Sequence, residues 1–499
     1  MADVDVLVVG SGPAGSTYAR TIGEAVPDAR ILMVEVGPHL PGSRGEHTNN
    51  LSPDDRRAAQ LATQGPDAGI ERGKALADIA DGVDPGVEFR QTVLPGLFFV
   101  DPRPQLAEGE VGLPAASMAS GVGGMGVLWS ISCPRPQQSE RVPFLPADEL
   151  DEALAHAERL LGVNVFGTDK GVPAALRRVM AAEFDGPGLS PVTYMPTAAH
   201  WDGDALRFTG TGDVLGDLEA TTPGFELRAE TLARRVLVED GVAVGAELED
   251  RRTGEVTVVR ARRVVVCADG LRTPQLLHAS GIRPPALGRH LNEHFQMVSF
   301  VLLDDDFLSG SDNPMGKDGL GYVLIPYSDD RPVQGGTMSL ANSMYKVGDD
   351  AGVNARLGLV AWYGSKDLQP SDAVEFSDTE TDFYGLPRMS IRYSHTARDL
   401  ETIELLRQCS HRSADLIGKL IEPPALAAGG ASIHYQGTVR MGGVDDGTSV
   451  CDPDLRVWGV ENLYVGGNGV IPTSTASNPT LTNVALAWRA ATRLAAGLR

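Results

Sequence analysis

Residues 4–9 read Val-Asp-Val-Leu-Val-Val, a short, mostly apolar and β-branched run of the kind a parallel sheet buries on both faces, and they predict a first strand. Residues 16–25 are rich in helix formers and residues 31–36 form a second apolar run, so the N-terminus reads as strand, turn, helix, strand. Residues 39–114 are loop-like, with many Gly, Pro and Asp. A stretch that long predicts elements of its own, and 54–63 and 74–79 carry helical patterns. Helices are predicted over 148–161, opened by Pro146 and Asp148 with acidic residues in the first turn, and over 172–184.

Between 225 and 266 the pattern alternates as in a β-meander: 232–238, a turn at Asp240-Gly241, 244–248, a turn at Thr253-Gly254, and 256–260, closed by a buried strand over 264–268. Strand-like runs over 298–303, 322–326, 357–363 and 389–393 predict a second, mostly antiparallel sheet. A helix over 397–420, a Pro/Ala/Gly-rich connection, a strand over 463–467 and a helix over 479–498 complete the chain. The predicted fold class is α/β: a Rossmann-like domain built on a βαβ unit with a parallel sheet, plus a second domain with a mostly antiparallel sheet and flanking helices.

Composition narrows the function. With 499 residues, 42% of them apolar, the chain has ample side chains for a core of two large intertwined domains. The 43 basic and 66 acidic residues leave a net charge of −23, a field that repels nucleic-acid phosphates and anionic headgroups, so a neutral small molecule is the expected partner. Cys133, Cys267, Cys409 and Cys451 lie far apart, which writes neither a disulfide framework nor a zinc knuckle and fits a reducing compartment. The start is acidic at Asp3 and Asp5 without a secretory pattern, and no apolar run reaches 18 residues. A soluble, cytoplasmic protein is expected.

Gly10-x-Gly12-x-x-Gly15 follows the first strand and opens the helix, and Glu35 stands at the end of the next strand, 20 positions after Gly15. In that setting the motif is a dinucleotide fingerprint. The first glycine permits the tight turn, the second lets backbone amides approach a pyrophosphate, and the third lets helix and strand pack closely. A carboxylate at Glu35 suits ribose hydroxyls and disfavours a 2′-phosphate. The fingerprint leaves FAD and NAD open, although a second glycine cluster, Gly121-Val122-Gly123-Gly124-Met125-Gly126, offers the longer cradle a flavin needs.

Taken in order, Gly10 to Glu35, Gly121 to Trp129, Thr231-Leu232-Ala233-Arg234-Arg235-Val236, Thr273-Pro274-Gln275-Leu276-Leu277, Gly288-Arg289-His290-Leu291-Asn292-Glu293-His294 and His434 to Thr480 resemble the glucose-methanol-choline (GMC) oxidoreductases, flavoenzymes that oxidise alcohols. Val122 to Met125 with Trp129, Cys133-Pro134-Arg135, Phe376-Ser377-Asp378, the His434-x-x-Gly437-Thr438-x-Arg440-Met441-Gly442 segment and Asn478-Pro479-Thr480-Leu481-Thr482 are most similar to the pyranose oxidase branch, which includes bacterial C-glycoside 3-oxidases. The resemblance implies FAD as cofactor and a sugar or glycoside oxidised at ring carbon 2 or 3, with oxygen or a quinone as electron acceptor. It divides the chain into an FAD-binding domain of residues 1–136, 210–297 and 431–499 and a substrate domain of 137–209 and 298–430. The oligomeric state is left open.

The resemblance further implies His434 as the base that takes the hydroxyl proton, a task for which imidazole is suited near neutrality, and Asn478 as its partner on the same oxygen. It gives contacts with the cofactor to Gly10, Gly12, Pro13, Ala14, Gly15, Glu35, Gly123, Gly124, Met125, Val127, Leu128, Trp129, Val236, Ala268, Asn468, Pro479 and Thr480. Pro479 reads as the first residue of a helix whose positive end faces the flavin pyrimidine, with Asn478 as its cap. Fungal pyranose oxidases carry Ser-Thr-His-Trp and tether the flavin through that histidine. Here Gly126-Val127-Leu128-Trp129 stands instead, so non-covalent FAD is expected, and the loss of the threonine hydroxyl at Val127 opens the possibility of a quinone acceptor.

Other chemistries fit less well. His290-Leu291-Asn292-Glu293-His294 spells the HxxEH zinc pattern but has no obvious third ligand, and no metal is expected. Residues 310–317 miss the P-loop spacing, and Asp304-Asp305-Asp306 lacks the spaced ligands of a calcium loop. The rival readings are a lyase on the same fold, an NAD-dependent dehydrogenase using the first fingerprint alone, and a non-enzymatic flavin-binding protein.

Overall fold

Strand Val4–Val9 lies at the centre of a parallel sheet, between Ile31–Val34 on one side and the end of Val256–Val266 on the other, and Phe225–Arg228 and Leu463–Val465 extend it at the two edges. Its Val6, Leu7 and Val8 are fully buried, as expected of a strand covered on both faces. The computed structural model describes residues 2–40, 45–64, 95–100, 106, 108–306, 321–340 and 351–498. The helix expected over 74–79 and the P-loop-like residues 310–317 lie outside these.

Two expected strands of the meander are one element. Val256–Val266 pairs antiparallel with Val242–Asp250 through residues 256–260, then continues in parallel pairing with Val4–Val9 through residues 261–266. Helix Pro13–Ala25 begins earlier than its pattern suggested, with Gly12 as cap and Pro13 in the first turn, where a missing N–H costs nothing. It packs against the last helix, Thr480–Ala496, so the two ends of the chain share one core. Helix Ala147–Leu160 buries Leu150, Ala153, Leu154 and Ala157 in that same core, although its residues fall within the expected substrate domain.

The second sheet is antiparallel throughout, in the order Gly418–Leu420, Phe295–Leu303, Leu357–Gly364, Val333–Ser339, Val323–Ile325, Thr193–Tyr194. Helices Gly171–Phe184 and Ala397–Asp415 cover one of its faces around the buried Trp362. Strand Val333–Ser339 carried no signal because two glycines interrupt it. A Cβ on Gly335 would meet the Trp362 ring at 2.7 Å, and one on Gly336 would meet the Tyr322 ring at 2.5 Å. The predicted 397–420 helix stops at Asp415. Gly418 takes φ +158° against the Leu302 carbonyl, and the chain joins the sheet edge there.

Helix Asp269–Ala279 also escaped prediction because Pro274 stands inside it. The carbonyl that Pro274 leaves without its backbone donor is that of Gly270, four residues earlier, and it accepts the Thr438 hydroxyl instead. That bond ties the helix to the segment that carries His434. Among the described residues no helix is long and apolar enough to cross a membrane.

Candidate active site

Three chain segments meet at the C-terminal ends of the parallel strands: the Gly10–Gly15 turn, Cys267-Ala268 and Gly466-Gly467-Asn468. Gly10 has φ +100°, and a Cβ there would sit 2.3 Å from the Cys267 carbonyl; a Cβ on Gly15 would sit 2.0 Å from the Gly10 carbonyl. Gly12 and Gly467 instead face open space, with nothing within 4 Å of such a Cβ. This is the contrast a phosphate cradle needs: glycines that close the turn, and glycines that leave room for a ligand against the backbone. The Asn468 Oδ1 is buried beside this opening with no partner. Ala14 sits in the first turn of the helix, and Ala268 N–H donates to Thr273 Oγ1. The residues present therefore fit a dinucleotide.

Glu35 does more than the fingerprint implied. Its carboxylate accepts the Ser11 hydroxyl (2.8 Å) and the N–H groups of Ser11, Gly37 and Gly121 (3.2, 3.2 and 3.3 Å), so it joins the two glycine clusters. Burial raises its pKa, and these donors oppose the rise. Ser11 Oγ also accepts Gly123 N–H (2.9 Å), and a Cβ on Gly124 would lie 3.2 Å from the Gly12 Cα. The cluster continues as a short 3-10 helix, Gly124–Val127, that includes Met125. The backbone bonds to Glu35 are long, and that is where ribose hydroxyls would compete.

Three of the expected contact residues also have close protein neighbours. Val236 N–H donates to Ser280 Oγ (2.8 Å) and its side chain is in the core, whereas Thr231, whose N–H meets the Glu35 carbonyl, is the residue of that strand beside the fingerprint. Val127 lies in an apolar cluster with Leu40 and Ala59, flanked by Leu128. Trp129 is turned toward the loop before helix Thr211–Leu215, its indole N–H donating to the Thr209 carbonyl.

The Asn292-Glu293-His294 segment packs beside His434. It is extended, not helical, so His290 and His294 share no helix face as a zinc pair would, and among the described residues no metal-binding group of three ligands occurs. Asn292 exchanges backbone bonds with Gln436 and donates its side-chain amide to the Thr473 carbonyl. Glu293 accepts the Gly430 and Ile433 N–H groups and the Ser432 hydroxyl, which fixes the turn before His434. His294 Nε2 lies 2.8 Å from His434 Nδ1. Burial pushes Glu293 up to about 7, pushes His434 down to about 4 and holds His294 well below its ordinary value.

Asn478 is not the helix cap. Pro479 takes that place, Thr480 is the first helical residue, and the Asn478 Oδ1 accepts Gln334 Nε2 (3.2 Å) from the second sheet. Gln334 pairs across the sheet with Tyr363, whose ring lies 5.0 Å from that of His294. Asn478, Gln334, Tyr363, His294 and His434 thus form one continuous chain of contacts. A second buried carboxylate, Glu140, holds the Asn478 loop as Glu293 holds the His434 loop. It accepts the Gln137, Ala476 and Ser477 N–H groups and the Ser477 hydroxyl, and burial raises its pKa to about 7. The sequence offered no periodic signal for Glu140 or Gln334. It did offer one for His294 and Glu293, in a motif that reads as metal ligation.

Residues 214–296 and 373–487 match the GMC oxidoreductase family models. Over 99% of this chain and 97% of the relative, the sequence is 45% identical to a C-glycoside 3-oxidase of Microbacterium trichothecenolyticum. It is 43% identical to a C-glycoside 3-oxidase of Arthrobacter globiformis over 99% of this chain and 95% of that one. Over 98% and 93% it is 30% identical to a pyranose 2-oxidase of Tricholoma matsutake. Among solved structures, pyridoxine 4-oxidase from Mesorbium loti superposes with a TM-score of 0.65 over 98% of this chain and 99% of that one, a likeness of fold at 18% identity.

Proposed function

Because this chain belongs to the GMC oxidoreductase family, whose members bind FAD, we propose that it oxidises a secondary ring hydroxyl, at carbon 2 or 3, of a sugar or glycoside to the ketone, with His434 as base and Asn478 as its partner. The observation that carries this reading is the full-length 45% identity to a C-glycoside 3-oxidase, together with an imidazole and an amide held at the junction of the two sheets.

FAD supplies the hydride acceptor for such an oxidation. The Gly10–Gly15 turn, Glu35, Gly123, Gly124, Ala268 and Asn468 would hold it, with the amides that begin Thr480–Ala496 offering positive charge near the ring. Burial keeps His434 neutral, so one ring nitrogen is available for the hydroxyl proton. The side-chain carbonyl of Asn478 is occupied by Gln334, which leaves its amide N–H groups for the substrate oxygen.

Anaerobic mixing with a panel of monosaccharides and aryl glycosides is expected to bleach the flavin absorbance, and product analysis identifies the carbon oxidised. A flavin that stays yellow with every sugar while the enzyme eliminates or rearranges one of them would replace this reading with a lyase. Leu128 has no nucleophilic nitrogen for a flavin bond, so FAD is proposed to be non-covalent. Acid precipitation is then expected to leave all yellow colour in the supernatant, whereas a yellow pellet contradicts it.

A further inference from the structure

On the reading above, we propose that His294 is the positioning partner of His434: it fixes His434 with its proton on Nδ1, leaves Nε2 as the base, and stabilises the charge that His434 gains. The argument starts from the 2.8 Å contact between His434 Nδ1 and His294 Nε2. One of two imidazole nitrogens in such a contact must donate. If His294 donated, His434 would carry its proton on Nε2 and have no lone pair for a substrate. With His434 donating, Nε2 is free, and it has no hydrogen-bond partner among the described residues.

The surroundings favour that arrangement. His294 Nδ1 is buried without a well-formed hydrogen bond, and the backbone carbonyls of Ala476 and Thr475 lie where they favour a proton on the ring. A proton on Nδ1 leaves Nε2 to accept from His434. The carboxylate of Glu293 is committed to the 430–433 turn, so the partner of His434 is a neutral imidazole and not an anion. A fixed carboxylate would hold the proton's charge in place, as in a Ser-His-Asp triad. A neutral imidazole orients the base without that counter-charge.

A pocket lies beside the His294 residue, although Nδ1 itself is closed off from it. It has a volume of about 90 Å³, room for several waters, and His294, Gln296, Tyr393 and His395 line it together with Val111, which is 42% exposed. It lies along the sheet from Tyr363 toward Gln296, the direction away from Gln334 and Asn478. The other titratable groups facing the pair are Tyr363 and Glu293, with Tyr393 and His395 across the pocket and Lys366, paired to Asp372 and Asp399, behind Tyr393. In the step itself the substrate O–H bond breaks and an N–H bond forms at His434 Nε2. The Nδ1 proton of His434 stays in the bond to His294 Nε2, which stabilises the imidazolium, and the substrate's C–H electron pair leaves as the hydride of the oxidation.

Three variants test this in the FAD-loaded enzyme. His294→Phe keeps the ring volume but offers no acceptor, and flavin bleaching by sugar is expected to slow about a hundredfold with sugar affinity unchanged. His294→Gln presents a carbonyl acceptor at the same reach and is expected to recover part of that loss. In His294→Gly, added imidazole is expected to raise the bleaching rate in proportion to its concentration. Equal rates in wild type and His294→Phe, or equal loss in Phe and Gln variants with no imidazole rescue, would overturn the proposal. An independent readout needs no substrate: 15N spectra of histidine-labelled protein, assigned through His434→Gln, are expected to show His434 protonated at Nδ1. A proton found at Nε2 rejects the proposal even if sugar oxidation holds, and absence of bleaching by every sugar rejects the proposed function while leaving the 15N test intact.

Discussion

His434→Ala is expected to bind FAD with an unchanged visible spectrum and to lose about a hundredfold to ten-thousandfold of the rate at which sugar bleaches it, the range ascribed to one well-placed general base. The flavin should stay because the cradle is built from the Gly10–Gly15 turn, Glu35 and the second glycine cluster, none of which bonds to the His434 side chain. Stopped-flow absorbance under anaerobic conditions separates the two quantities. A His434→Ala enzyme that bleaches at the wild-type rate removes His434 from the chemistry.

The pH dependence of the same rate follows from burial. A base works in its unprotonated form. Burial lowers the His434 pKa from 6.5 to about 4, so the residue is already neutral at pH 6. The bleaching rate is therefore expected to be flat from neutrality down to about pH 5 and to fall below that, where an exposed imidazole would begin to lose activity near 6.5. The buried imidazole gains its proton only transiently, and the neighbouring His294 lone pair stabilises that charge.

The parts of the fold that were legible in the sequence are those where a local pattern and a local structure share one cause. Val4–Val9 and the glycines after it are a buried strand and a phosphate turn for reasons contained within about 35 residues. Elements were hidden where a distant contact overrides a local rule. Pro274 argues against a helix until Thr438, far along the chain, satisfies the Gly270 carbonyl. Gly335 and Gly336 argue against a strand until the rings of Trp362 and Tyr322 fill the space. The same holds in the site. His434 and Asn478 stood out through motif order, but Glu140, Glu293 and Gln334 act by being buried and bonded to other segments, which leaves no periodic trace. His294 was visible as a residue, but the HxxEH pattern that displays it presumes a helix that the segment does not form, and its contact with His434 left no trace in the sequence.

Glu140→Ala is expected to be the most destabilising single change at the site. Its carboxylate is the acceptor for the Gln137, Ala476 and Ser477 N–H groups and the Ser477 hydroxyl. Truncation leaves all four donors buried without it, and at about 1 to 3 kcal/mol for an unsatisfied buried donor, with water re-pairing some of them, a net loss of about 4 kcal/mol follows. Glu140→Gln keeps one acceptor oxygen and is expected to lose about half as much. The consequence for function is specific: residues 476 and 477 precede Asn478, so a loosened loop moves the amide that meets the substrate oxygen and the carbonyls that face His294. Asn478→Ala removes the amide while leaving the Glu140 bonds intact. It is expected to slow sugar oxidation with a thermal midpoint near that of wild type, whereas Glu140→Ala should lower both. Equal midpoints for Glu140→Ala and wild type would mean that the loop is held by something other than this carboxylate.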